Sequence, residues 1–251
     1  MLNSPTIEKL KDMKLKVMAQ MLVESDSSLN DLTFEERLGL MVETEWLSRK
    51  NSRIKRLLAG ASLGLNACIE DIDYSADRTI DKKTLQTLAS CSYIEQKLNI
   101  VISGKTGSGK TYIACALGNR ACRCAYTVRY YRMPELLLEI QESKNENRYA
   151  KFIAELRTIR LLILDDIGLK SYSLEESRDI LEIAESRYNK TSTILSGQID
   201  HTKWYDLFPD PTLSDAIMDR VIHNAYILPL DSKKSMREVM AERAIRSILT
   251  D

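Results

Sequence analysis

The stretch that most limits how this chain can fold is Leu98-Asn-Ile-Val-Ile-Ser-Gly-Lys-Thr-Gly-Ser-Gly-Lys-Thr111. The apolar run Ile100-Val-Ile102 reads as a buried strand. Gly104 to Thr111 then fits glycine, four residues, glycine, lysine, serine or threonine, which is the phosphate-cradling P-loop pattern. Glycines at 104, 107 and 109 let the backbone turn tightly and bring its N–H groups to phosphate oxygens, where side chains would intrude. Lys105, Thr106 and Ser108 complete the loop. Lys110 can reach the β- and γ-phosphates, Thr111 can ligate Mg²⁺, and the helix running on through Tyr112 aims its positive end at the same anion.

A second marker lies some 50 residues on, where Leu161-Leu-Ile-Leu-Asp-Asp166 reads as a strand buried on both faces and ending in two acids. The carboxyl end of a strand is where an open α/β sheet places its ligand. Downstream of a P-loop, Asp165 is expected to hold the water shell of Mg²⁺ and Asp166 to orient and polarise an attacking water. Thr191 to Ser196 reads as another strand, followed by Gly197-Gln198. Ser196 or Gln198 could sense a γ-phosphate there, or simply end the strand. Ile69-Glu-Asp-Ile-Asp-Tyr74 could pass beside the adenine with Ile72 or Tyr74 against the base, although Tyr74 reads more readily as ordinary packing.

Ahead of these motifs, the apolar spacing predicts helices over about 6–23 and 34–58. Thr33 and Glu36 form a reciprocal capping pattern at the start of the second. Its last turns carry Arg49, Lys50, Arg53, Lys55 and Arg56, either a solvated face or a set of phosphate contacts on DNA. Further predicted elements are a helix ending near Gln96, a strand at 126–131, helical sequence over 134–157 interrupted near 143–147, helices at 173–188 and 212–224, a strand at 225–230 and a charged helical tail. The expected division is a helical N-terminal domain over 1–66 and an ATPase domain over 67–251.

Lys+Arg and Asp+Glu are both 36, so any DNA-binding face must be local. No apolar run approaches the roughly 20 residues of a membrane span, and the N-terminus lacks an apolar signal segment, so a cytoplasmic protein is expected. Five scattered cysteines suit a reducing compartment, and Cys122-Arg-Cys124 reads as small buried thiols.

Taken together, the chain resembles the IstB-type ATPases of bacterial insertion sequences, relatives of the DnaC helicase loaders and DnaA initiators in the AAA+ class. The matching residues include Leu32-Thr-Phe-Glu-Glu-Arg-Leu-Gly-Leu40, Ile69 to Tyr74, Gly104 to Thr111, Val128-Arg-Tyr-Tyr-Arg132, Leu161 to Asp166, Asp210-Pro-Thr-Leu-Ser-Asp-Ala-Ile-Met-Asp-Arg-Val-Ile-His-Asn224 and Ser235-Met-Arg237. The resemblance implies a P-loop AAA+ fold, in which helices flank a parallel sheet, a small all-α domain precedes it and little or no C-terminal lid follows. It also implies an ATP- and Mg²⁺-dependent ATPase that forms a homo-oligomer on double-stranded DNA of any sequence and stimulates a transposase. Residue by residue it carries over Lys110 and Thr111 as phosphate and Mg²⁺ contacts, Asp165 as the metal-side acid, Asp166 at the catalytic acid position and Arg220 as an arginine finger acting in trans. Arg237 falls near a second γ-phosphate sensor. Departures are Gly197-Gln198 in place of Ser-Gln, Ile167 in place of phenylalanine, and Lys233-Lys-Ser235 in place of Gly-Glu-Ser. Two other readings are a DnaC-like replicative helicase loader and a P-loop small-molecule kinase, which would need an arginine-rich lid that the sequence does not show.

Overall fold

The computed structural model describes residues 4–24, 32–74 and 80–231, together with 235, 236, 238 and 241. Arg237 and most of the charged tail lie outside the described residues. The chain divides into compact units of residues 1–56 and 57–251.

In the first unit, α1 (Ser4–Asp12) and α2 (Lys16–Glu24) replace the single helix expected over 6–23. Lys14 has a φ of +62°, outside the helical region, and breaks the run although the apolar spacing passes straight through it. The following helix, α3 (Phe34–Ala61), is capped as its sequence predicts: Thr33 N–H donates to Glu36 Oε2 at 2.8 Å and Glu36 N–H to Thr33 Oγ1 at 3.3 Å. Further along α3, the Glu45 carboxylate accepts from the N–H groups of Val17 and Met18 at 2.8 and 3.2 Å. An anion thereby neutralises the positive end of α2. Arg49 is committed locally, its guanidinium donating to Glu45 Oε1 at 2.8 Å and to the Lys14 carbonyl at 2.7 Å. Lys50 lies over the Trp46 ring, and Arg53, Lys55 and Arg56 are exposed. So are Phe34, Leu38, Val42 and Trp46, at successive i, i+4 positions.

The second unit is built on β1 (Asn99–Ser103), β2 (Val128–Arg132), β3 (Leu161–Ile167), β4 (Ser192–Gly197) and β5 (Ala225–Pro229). All pair in parallel, in the order β2-β3-β4-β1-β5. Side-chain alternation sends Ile100, Ile102, Val128, Tyr130, Leu161, Ile163 and Ile194 to one face, and Val101, Tyr131, Leu162, Leu164 and Leu195 to the other. Against the first face pack α4 (Lys82–Ala89), α5 (Ser92–Glu95) and α6 (Lys110–Arg123). Against the second pack α7 (Met133–Asn145), α8 (Tyr149–Thr158), α9 (Leu174–Arg187), α10 (Pro211–Ile222) and a 3-10 turn at His201–Leu207. This is the expected parallel sheet flanked by helices. The helix predicted to end near Gln96 is two helices, separated where Cys91 adopts a φ of +62°. Cys122 is buried and Cys124 half-buried.

Ser173 caps α9 in a reciprocal box with Glu176, at 2.7 and 3.1 Å. Ser173→Ala is expected to cost about 1 kcal/mol. In thermal denaturation that corresponds to a fall of about 2–4 °C for a chain of this size.

At the other end of α9, Arg187 is only 2% exposed. Its guanidinium donates to Thr193 Oγ1 at 3.0 Å and to the carbonyls of Ile159 and Ser192 at 2.9 and 2.6 Å, with a further bond to Leu156 O. Burial pulls its pKa down to about 9, still above neutral, so the side chain ties α8, α9 and β4 together as a cation.

Candidate nucleotide and metal site

β1 ends at Ser103, and the chain enters a loop whose shape only glycine permits. Gly107 and Gly109 have φ of +82° and +94°. A side chain at Gly104 would start 2.1 Å from the Leu230 carbonyl, and one at Gly107 would start 2.3 Å from Ser235 Oγ. Ser108 Oγ is buried without a hydrogen-bond partner among the described residues. The Lys110 ammonium is turned onto the loop, donating to the carbonyls of Gly104 and Lys105 at 2.7 and 2.9 Å. The loop thus brings a cation and a helix N-terminus to a cleft beside it, which fits a polyphosphate.

Beside it, the Asp165 carboxylate accepts four hydrogen bonds. Oδ1 receives Ser196 Oγ at 2.5 Å and the Asp166 N–H at 2.9 Å. Oδ2 receives Thr111 Oγ1 at 2.7 Å and the Tyr130 hydroxyl at 3.0 Å. Thr111 spends its one proton on Asp165, so its oxygen lone pairs remain for a cation. An anionic carboxylate and a hydroxyl oxygen are donors suited to Mg²⁺. Asp166 follows with a φ of +62°, and the β3–β4 register slips between Leu164 and Ile167. Its Oδ2 pairs with Arg132 Nε at 2.8 Å.

A cleft of about 290 Å³ runs along these groups, lined by Thr106, Gly107, Gly109, Lys110, Thr111, Tyr112, Asp166, Gln198, Leu65, Asp71, Ile72, Asp73 and Met236. Among the residues expected from the sequence, the structure brings the loop, Tyr112, Asp166 and Gln198 to this cleft and sets Asp165 behind Thr111. Gln198 accepts from Thr106 Oγ1 at 2.9 Å across the mouth, whereas Ser196 lies fully buried beneath Asp165. Ile72 lines the cleft, and Tyr74 packs against the core with Lys82 over its ring.

Arg220 is elsewhere. Its guanidinium donates to Glu185 Oε1 at 2.7 Å and to the Ala216 carbonyl at 2.8 Å. The carbonyls of Arg220 and Val221 accept from Asn99 Nδ2, at the end of β1 opposite the P-loop. Two participants are not apparent from sequence pattern. Tyr130 reads as an ordinary strand aromatic and Arg132 as a surface cation. Both acquire their partners from the pairing of β2 with β3, which sets Arg132 beside Asp165.

Residues 8–244 match the family described as IstB-like ATP binding protein. The insertion sequence ATP-binding protein y4pL of Sinorhizobium fredii is 37% identical over 239 residues, covering 94% of this chain and 98% of the relative. Among solved structures, the DnaC helicase loader superposes with a TM-score of 0.52 at 17% identity, covering 59% of this chain and 87% of that one. AMPPCP-bound DnaA from Aquifex aeolicus superposes with a TM-score of 0.55 at 19% identity, over 74% of this chain and 56% of the other. The architecture is therefore the P-loop AAA+ fold that the sequence led us to expect, and a match spanning nearly the whole chain places this protein in the family of IstB-like insertion sequence ATP-binding proteins.

Proposed function

We propose that this chain is an Mg²⁺-dependent ATPase that assembles on double-stranded DNA without reading sequence and stimulates a partner transposase. The observation that carries this reading is that the nucleotide cleft and Arg220 sit at opposite ends of β1. A strand from 99 to 103 spans about 13 Å, and Arg220 is held at the far end by Glu185 and the Ala216 carbonyl. An arginine so placed serves a neighbour's phosphates rather than its own.

Bound ATP and Mg²⁺ would supply the transferable phosphoryl group and the charge that neutralises it. The loop N–H groups and Lys110 hold and orient the phosphates. Thr111 and Asp165 hold the cation, Asp166 orients and polarises a water, and Gln198 faces the γ-phosphate side. Ile72 packs the base. Arg220 from an adjacent subunit stabilises developing charge, so nucleotide turnover is tied to assembly and acts as a timer for disassembly. The helical domain proposed over 1–66 supports self-association and DNA or partner contact. Lys50, Arg53, Lys55 and Arg56 grip phosphates without base readout, and Arg49 instead orders the helix junction. Arg237 remains the proposed second sensor.

The test is binding of a random-sequence duplex by native protein, Lys110→Ala and Arg220→Ala with no nucleotide, ADP or ATP, while particle size is followed. Large particles on DNA only with ATP, and lost in both variants, are the expected outcome. A native protein that stays small and ignores duplex in every state would overturn the reading and favour helicase loading.

A further inference from the structure

The metal-side acid is held by a group outside both nucleotide motifs. Of the four donors to Asp165, Thr111 belongs to the P-loop helix, Ser196 to β4 and the Asp166 N–H to the chain itself. The fourth is the phenol of Tyr130 on β2. Tyr130 is buried. Burial and the charge of Asp165 push its hydroxyl pKa up, so it stays a proton donor throughout the working pH range.

The ring is itself held from the other side. A methyl group added at Gly64 would come within 3.0 Å of Tyr130 Cε1, Cζ and the hydroxyl oxygen. The Gly64 and Leu65 N–H groups hydrogen-bond the Cys115 sulfur on α6, and a methyl at Gly118 would meet Leu63 at 3.0 Å. The connector leaving α3 is therefore packed against the P-loop helix and Tyr130, and it continues as the cleft wall through Leu65, Asp71, Ile72 and Asp73.

We propose that Tyr130 is a positioning residue for the divalent-cation site: its hydroxyl fixes Oδ2 of Asp165, and Gly64 fixes its ring. The inference rests on the Mg²⁺–ATP reading above. A carboxylate pinned at both oxygens has one orientation, and Asp165 acts on the cation through Thr111, whose hydroxyl proton it takes so that the Thr111 lone pairs face outward. Without the phenol, Oδ1 keeps Ser196 and the Asp166 N–H, but Oδ2 keeps only Thr111, so the oxygen that orients the Thr111 hydroxyl is held by one bond fewer. Loss of such an orienting partner typically weakens metal affinity about tenfold or more. The connector at Gly64 thus lies directly against the ring whose phenol faces Asp165, with no room for a side chain between them.

The experiment uses the full chain and a fluorescent ATP analogue, titrated in EDTA and then with Mg²⁺ at fixed nucleotide. Tyr130→Phe keeps the ring and removes the hydroxyl. It is expected to raise the half-saturating Mg²⁺ concentration about tenfold and to leave affinity in EDTA within about twofold. Gly64→Ala keeps the hydroxyl but shifts the ring, and should move the Mg²⁺ midpoint in the same direction by a smaller factor. An unchanged midpoint in folded Tyr130→Phe overturns the inference, as does equal weakening with and without Mg²⁺. Should Tyr130→Phe not fold, an unchanged midpoint in Gly64→Ala overturns it alone. Native protein whose nucleotide binding ignores Mg²⁺ sinks the underlying reading instead, so the two failures are distinguishable.

Discussion

Lys110→Ala is expected to lower ATP affinity by on the order of 10²-fold, the roughly 3 kcal/mol associated with a charge-assisted hydrogen bond in a partly desolvated site. Lys110 is only 8% exposed, and its ammonium lies at 2.7 and 2.9 Å from the Gly104 and Lys105 carbonyls. Alanine removes a cation already confined to the loop and takes one donor from each carbonyl, the Lys105 carbonyl keeping the Ser108 N–H at 3.2 Å. Lys110→Arg should also fail by more than tenfold, because a planar fork cannot replace a compact ammonium in a loop this tight. Titration with a fluorescent ATP analogue measures both, and a melting temperature close to native separates lost binding from lost folding. Retention of native affinity by the alanine variant would remove the loop from the nucleotide site.

Arg187→Met is expected to be the most destabilising of these substitutions, at about 3–5 kcal/mol out of a typical total of 5–15 kcal/mol. Methionine fills much of the same volume, so the cost is mainly polar. The carbonyls of Leu156, Ile159 and Ser192 and the hydroxyl of Thr193 each lose the guanidinium, and Leu156 keeps only a long bond from the Ile159 N–H at 3.4 Å. At about 2–4 °C per kcal/mol, the melting temperature should fall by roughly 10 °C. Arg187→Lys keeps the charge but not the reach to four acceptors, and should fall between the two. A methionine variant as stable as native protein would mean that water takes over those acceptors.

The elements written locally in the sequence were the easiest to read. The P-loop has a spacing dictated by phosphate geometry, β3 is a continuous apolar run, and the Thr33/Glu36 box satisfies its own helix end. The breaks at Lys14 and Cys91 were not legible, because neither residue is a glycine or proline, although both take a left-handed φ at a turn closed by backbone hydrogen bonds. Arg187 reads as an ordinary cation at a helix C-terminus, and nothing near it in sequence announces four acceptors from other elements. Tyr130 and Arg132 follow the same logic at the candidate site. Their partners lie 35 and 34 residues away and are set by strand register, a property of the assembled sheet.

That register has a consequence at the acid pair. Neighbouring residues of a regular strand face opposite sides of a sheet. Along β3, Leu161 and Ile163 point toward α6, while Leu162 and Leu164 point toward α7 to α10. Asp165 continues the first series to reach Thr111. Asp166 should then turn to the far face, yet it lines the cleft, and Ile167 takes the far-face position instead. Asp166 is thus a supernumerary residue, squeezed out of the ladder with a backbone twist that aspartate tolerates far better than a β-branched side chain. Two adjacent acids can divide their labour, one anchored and one outward, because the strand loses count between them.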